Sequence, residues 1–182
     1  MSYYNLATLG ELERHLFICK DNRCVFISHK KEDEAAAIAI GSYLTDVVGI
    51  NIYLDIKDCM LQDATDEENN QKIVDSVQKG LSLSSHLLCL ISDKTKLSWW
   101  VPYEIGFADK QNTDVTILKL KDIDDVPSYI KIKKTLYNLD DFLQYVSNLG
   151  KYGFLFKDEH YNHFSRCDNS ILTNYIDKTV EA

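Results

Sequence analysis

A central parallel β-sheet with helices on both faces is the fold class that this 182-residue sequence predicts, and three observations predict it. Short apolar runs rich in β-formers alternate with segments of helical spacing, the order that builds βαβ units. The central runs are apolar throughout rather than at every second position, as strands covered on both faces are. Two prolines and seven glycines leave no evident linker, and no internal repeat is present, so a single core is expected. Together these observations give an open, flavodoxin-like three-layer sandwich.

Each element follows from its pattern. "RCVFIS" (23–28) is a strand. "DEAAAIAIGSYLTDVV" (33–48) repeats with helical period and sets Ala36, Ala37, Ile40, Leu44 and Val47 on one face. "INIYLD" (50–55) is a strand, and "NQKIVDSVQKGL" (70–81) is an amphipathic helix carrying Ile73, Val77 and Leu81. "SHLLCLIS" (85–92) is a fully apolar strand, "WVPYEIGFADK" (100–110) a short helix and "DVTILKL" (114–120) a strand. "YIKIKKTLYNL" (129–139) is mixed, with an edge strand as one reading, and "LDDFLQYVSNL" (139–149) is a helix. "TLGELERHLF" reads as an additional N-terminal helix, with Thr8 and Glu11 at capping-box spacing. The expected division is a helical extension over 1–22, the main domain over 23–149, and a C-terminal extension over 150–182 packed on the same domain.

Composition excludes several classes of function. The formal net charge is −8, whereas a nucleic-acid binder needs a basic face. "KIKK" (131–134) reads as solvated surface lysines. No apolar run reaches the ~20 residues of a membrane span, and the N-terminus lacks a signal-peptide pattern. The expectation is a cytoplasmic protein without nucleic-acid or membrane partners. The five cysteines, Cys19, Cys24, Cys59, Cys89 and Cys167, are odd in number and lack CxxC spacing, which argues against a disulfide framework. Cys24 and Cys89 lie in apolar runs and read as buried thiols. His160, His163 and Cys167 share a helix face without an evident fourth ligand, and "DATDEEN" (63–69) lacks the calcium-loop glycine. No metal is expected at either.

The stretch "SWWVPYE" (98–104) raises a sharper question. Pro102 has no N–H to donate and belongs in the first turn of a helix. The helix therefore begins near Ser98 to Val101, with Ser98 as a cap. Glu104 falls in its first turns, and Trp100, four residues earlier, shares its face. In open α/β sheets ligands bind where strands end and helices begin. A carboxylate and a large aromatic side chain are thus placed where a ligand would sit. Trp99, on another face, reads as a packing or interface residue.

On these residues the chain resembles the TIR (Toll/interleukin-1 receptor) domain family over roughly residues 23–149. "CVFISHKKED" resembles the family's first strand and loop, "NIYLDIKD" its second strand and the start of its BB loop, and "SSHLLCLIS" its third strand. "SWWVPYE" matches the S-x-W-[CV]-x-x-E pattern of NAD-cleaving members at Ser98, Trp100, Val101 and Glu104. The BB loop "IKDCMLQDATDEEN" lacks the Pro-Gly turn of many receptor members, which weighs against receptor-type adaptor binding. The chain is most similar to bacterial NAD-cleaving members such as the TIR protein of the Thoeris anti-phage system. A lone TIR domain fits that sensor-cyclase role.

The resemblance implies cleavage of the bond between nicotinamide and ribose, with NAD as substrate and no cofactor. It implies Glu104 as the catalytic carboxylate. It implies Phe26, Ser28, His29, Lys30, Lys57 and Trp100 as substrate-binding residues, and partners reached through TIR self-association and a cyclic nucleotide product. The chemistry is compatible with a single carboxylate. Nicotinamide is a ring cation that departs neutral, so no general acid is needed, and one anion beside the ribose stabilises the developing oxocarbenium ion. A wet site gives linear ADP-ribose, and a dry one favours intramolecular attack and a cyclic product. No G-x-G-x-x-G occurs, which argues against a dinucleotide-binding dehydrogenase. Two other readings remain: a non-enzymatic adaptor acting by homotypic association, and a nucleoside deoxyribosyltransferase-like enzyme, which also works on an N-glycosidic bond.

Overall fold

A computed structural model of the chain describes residues 3–10, 23–54, 56, 67–121, 123, 126–149 and 157–178. Among these, five strands form one all-parallel sheet: β1 (Cys24–Ser28), β2 (Asn51–Tyr53), β3 (His86–Ile91), β4 (Asp114–Lys119) and β5 (Lys134–Leu136). Their order is β2-β1-β3-β4-β5, the flavodoxin-like order, whose direction of winding reverses between β1 and β3. Every residue of β1 is buried, as is every residue of β3 after His86. This follows from apolar runs that carry no polar alternation.

Helices cover both faces. One face holds Val25, Ile27, Leu88, Leu90 and Leu118 against α1 (Glu34–Tyr43) and α5 (Leu139–Leu149). The other holds Cys24, Phe26, Leu87, Cys89, Ile91, Val115 and Ile117 against α2 (Glu67–Ser82) and α3 (Trp100–Lys110). Successive strand residues alternate between the two cores, as the pleat requires. The mixed segment resolves into a short helix, α4 (Ser128–Lys131), followed by the edge strand β5.

The first helix departs from its simple pattern. Ala36, Ala37, Ile40 and Leu44 are buried as expected, but Val47 is 37% exposed. The last turn, Leu44–Val48, is wound as a π-helix, which adds a residue to the turn and changes the direction in which its side chains project. Val47 swings outward, and Val48 packs against the core instead. Gly49, at φ 73°, ends the turn in the left-handed conformation that glycine adopts without strain. The proposed N-terminal helix and its Thr8–Glu11 box fall largely outside the described residues. The preceding segment lies beside β2, where Asn5 bridges Ile52 and Leu6 enters the core. At the other end, α6 (Lys157–Arg166) packs along α5, and Phe164, Leu172 and Ile176 enter the first core.

Two glycines on the helices that flank the site make opposite demands. A Cβ at Gly80 in α2 would lie 2.5 Å from the Tyr53 ring and 2.7 Å from the Phe26 ring, whereas at Gly106 in α3 it meets nothing within 4 Å. Gly80→Ala is expected to destabilise the fold by about 1–3 kcal/mol through overpacking. Gly106→Ala is expected to stabilise it by about 0.4–1 kcal/mol through reduced chain entropy and better helix propensity. Urea denaturation of the two variants checks both signs.

Candidate active site

The β1/β3 pair marks the switch point of the sheet. Parallel pairing sets Ser28 opposite Cys89, so both side chains project to the α3 side near the carboxyl ends of their strands. Helix α3 crosses above them. Its start follows local chemistry: Ser98 Oγ accepts the Val101 N–H at 3.3 Å, and Pro102 occupies the first turn. The expected cap and helix span are therefore both present.

Glu104 enters the next turn of α3 and points into the sheet. It is 3% exposed, a costly position for a carboxylate without a donor. Ser28 Oγ donates a hydrogen bond to Glu104 Oε2, and Ser28 itself is 1% exposed. Phe26, two residues earlier on the same strand face, lies stacked on Tyr53 with ring centroids 5.6 Å apart and planes at 7°. It forms a buried floor below the serine. Trp100, half-buried one turn before Glu104, meets the Tyr103 ring edge-on at 6.0 Å. Gln78 of α2 holds the Tyr103 hydroxyl at 2.8 Å.

His29 and Lys30 belong to a second polar group where β1 ends. His29 is buried, and burial holds its imidazole below the usual histidine range, opposed by a hydrogen bond to the Ile27 backbone and by Glu34 and Asp33. Lys30 Nζ lies 3.3 Å from Glu32 Oε1. Ser92 Oγ donates to buried Asp33 Oδ2 at 2.6 Å, and Lys94 Nζ lies 3.6 Å from Asp33 Oδ1. Asp33, Ser92 and Lys94 thus tie the segment after β1 to the segment after β3. The structure brings Ser28 and Glu104 together and draws His29 and Lys30 into this neighbouring group. Lys57 lies outside the described residues.

Sequence reasoning misses two parts of this arrangement. The apolar run around Cys89 marks it only as a buried thiol, yet its strand register sets it beside Ser28. The Asp33–Ser92 link joins residues 59 positions apart, and no local pattern announces it. Trp99 is 91% exposed, so it is not a packing residue within the chain. Leu97, two residues before it, is 77% exposed. Cys24 and Cys89 are free and buried, in agreement with their apolar surroundings.

A buried carboxylate that accepts a hydrogen bond from a serine hydroxyl, beside a half-buried indole at a sheet switch point, is suited to meeting a polar ligand that develops positive charge. The protein-family model described as a TIR domain matches residues 25–146, and the chain belongs to that family. No curated protein matches the chain.

The buried histidine makes stability depend on pH. Above about 6.5, its ordinary value, His29 is neutral in both folded and unfolded chains. Below it, the unfolded chain takes up a proton that the folded one resists, so stability falls as pH drops from 6.5 toward the lowered folded value. His86, also held low by burial, acts in the same direction. Denaturation midpoints measured from pH 7.5 to 5.5 are expected to fall, and His29→Gln is expected to reduce that slope.

Proposed function

We propose that this TIR domain is an NAD glycohydrolase and ADP-ribosyl cyclase. In this reading it cleaves the nicotinamide–ribose bond of NAD and closes the remainder into a cyclic ADP-ribose isomer. The observation that carries the reading is Glu104, a carboxylate buried where α3 begins and hydrogen-bonded to Ser28 where β1 ends. Burying a carboxylate is costly even where a hydroxyl donates to it, and this one lies at the edge where such sheets bind ligands. The match of "SWWVPYE" to the pattern of NAD-cleaving members supports the same assignment.

In this mechanism Glu104 is the catalytic residue. One carboxylate oxygen, Oε2, stays with Ser28. The other, Oε1, meets a ribose hydroxyl and stabilises the positive charge that grows on the ribose as nicotinamide leaves with its bonding electrons. Trp100 provides a flat wall for a ring of the substrate, and Tyr103 fixes the indole from its edge. His29, Lys30 and Lys57 are candidates for the nicotinamide and phosphate side. Water exclusion favours attack by a group of the same molecule, and the burial of Glu104 is consistent with a dry site. The product would then signal to a separate effector in the cytoplasm, as in bacterial anti-phage defence.

Self-association is part of the proposal. Leu97 and Trp99 place two large apolar side chains in water immediately before α3, and a second copy is a fitting cover for them. Among the described residues no helix is long and apolar enough to cross a membrane, so that exposure is not explained by a spanning helix there.

The test is incubation of purified protein and its Glu104→Gln variant with NAD at several protein concentrations, with products resolved by chromatography and mass spectrometry. Wild type is expected to release nicotinamide and a product with the mass of cyclic ADP-ribose. The variant is expected to lose roughly 10²–10³-fold in rate, the scale of removing one preorganised stabilising group. Linear ADP-ribose alone would make the enzyme a hydrolase. Equal turnover in both proteins would remove Glu104 from the mechanism. No nicotinamide at any concentration would favour a non-enzymatic adaptor. Turnover of free nucleosides but not NAD would favour the deoxyribosyltransferase-like alternative.

A further inference from the structure

We infer that Asp33 and Ser92 are positioning residues for α3: they tie the end of β1 to the first turn of that helix and so set where Trp100 and Glu104 stand. The consequence for catalysis rests on the role proposed for Glu104, whereas the positioning itself is measured without substrate.

Asp33 occupies the N-cap of α1, where an aspartate ordinarily accepts a hydrogen bond from the first turn of its own helix. Here its side chain makes no such bond. The carboxylate is buried and turns instead to the segment after β3. Ser92 Oγ donates to its Oδ2 at 2.6 Å, and Lys94 Nζ lies 3.6 Å from its Oδ1. Ser92 Oγ accepts the Lys94 N–H at 3.2 Å and gives its one proton to Asp33.

From Ser92 the bonds continue to the helix. Ser92 N–H donates to Thr95 Oγ1 at 2.9 Å, and Thr95 N–H donates back to the Ser92 carbonyl at 3.0 Å. Ser98 N–H donates to the Thr95 carbonyl at 2.9 Å. Ser98 Oγ then accepts the Val101 N–H in the first turn of α3. In the next turn Glu104 accepts from Ser28, and Asp33 N–H returns to the Lys30 carbonyl at 2.8 Å. The circuit is closed: β1 holds α3 directly through Ser28 and indirectly through Asp33.

The second tie does what the first cannot. Val101, Ile105 and Ala108 seat α3 in the core, but apolar burial is non-directional. One hydrogen bond at Glu104 fixes a point on the helix and leaves its orientation free. A second attachment at Val101 fixes the orientation, and the Trp100 indole, on the adjacent residue, moves with that turn.

The experiment is amide hydrogen exchange by NMR in the full chain, alongside kinetics with NAD. Asp33→Ala is expected to speed exchange at Ser98 and Val101 roughly 10-fold, the scale of losing one hydrogen bond that holds a local segment closed. Amides of α5 and β4 are expected to keep their wild-type rates. Asp33→Asn keeps an acceptor for Ser92 and is expected to restore most of the protection. With Trp99→Phe as background, Trp100 is the only tryptophan, and Asp33→Ala is expected to raise its quenching by acrylamide. In turnover, Asp33→Ala is expected to lower kcat roughly 10–100-fold through misplacement of the carboxylate and to raise KM as the indole shifts. A mere loss of folded protein would lower kcat and leave KM alone. Unchanged exchange at Ser98 and Val101 in Asp33→Ala would overturn the inference. So would faster exchange spread evenly over α5 and β4, the mark of a general loss of stability. If Asp33→Ala does not fold, Ser92→Ala is judged by the same criteria. Faster exchange at Ser98 and Val101 in a protein that never releases nicotinamide would uphold the positioning and remove the NAD reading. Nicotinamide release that Glu104→Gln abolishes and Asp33→Ala leaves untouched would do the reverse.

Discussion

A carboxylate taken out of water loses several kcal/mol of solvation unless a donor meets it, and the region around α3 is organised to meet Glu104. Ser28, at the last position of β1, is one such donor. Its position depends on the parallel pairing of β1 with β3. That pairing depends on two apolar strands buried on both faces, which in turn requires helices on each side of the sheet. Removing any of these layers takes the Ser28 hydroxyl away from the carboxylate or exposes the carboxylate to water. The switch point favours such a site, because the connections leave β1 and β3 in opposite directions and do not fill the space between their ends.

The two strand ends are also joined laterally. Asp33 and Ser92 link the segments that follow β1 and β3, and the capping box around Ser92 and Thr95 holds the second of these in place. The same segment continues to Leu97, Ser98 and Trp99, so the link fixes the approach to α3. Rigid support on the inner side and exposed apolar side chains on the outer side thus occur within one connection. The inner side serves the carboxylate, and the outer side presents a surface that a second copy can cover. Self-association and the chemistry of the site would then be mechanically adjacent.

Most of the fold was legible because burial on both faces leaves a signature in composition. The runs around Val25 and Leu88 carry no polar interruption, and Ile73, Val77 and Leu81 repeat at helical spacing. Pro102 and Ser98 marked the start of α3 through local rules alone. Glu104 and Trp100 followed from that start, since residues four apart share a helix face. The features that escaped depend on pairing between distant segments. Nothing near Cys89 indicates that Ser28 is its neighbour, because register is a property of two strands together. The π turn at Leu44–Val48 escaped for a related reason: Val47 fits a regular helix, and only the need to reach Gly49 and enter β2 adds the extra residue. Trp99 is the reverse case, a side chain whose composition suggests burial but whose position before the helix leaves it in solvent.

The most direct measurement is a crystal structure of the protein bound to an NAD analogue whose nicotinamide-bearing ribose has its ring oxygen replaced by carbon, which prevents cleavage. The expected result is a ribose hydroxyl within hydrogen-bond distance of the Glu104 carboxylate, with Ser28 still bonded to its other oxygen and Trp100 lining the bound ligand. An analogue bound elsewhere on the domain, with Glu104 buried and unmoved beneath α3, would contradict the assignment of this carboxylate to the chemistry.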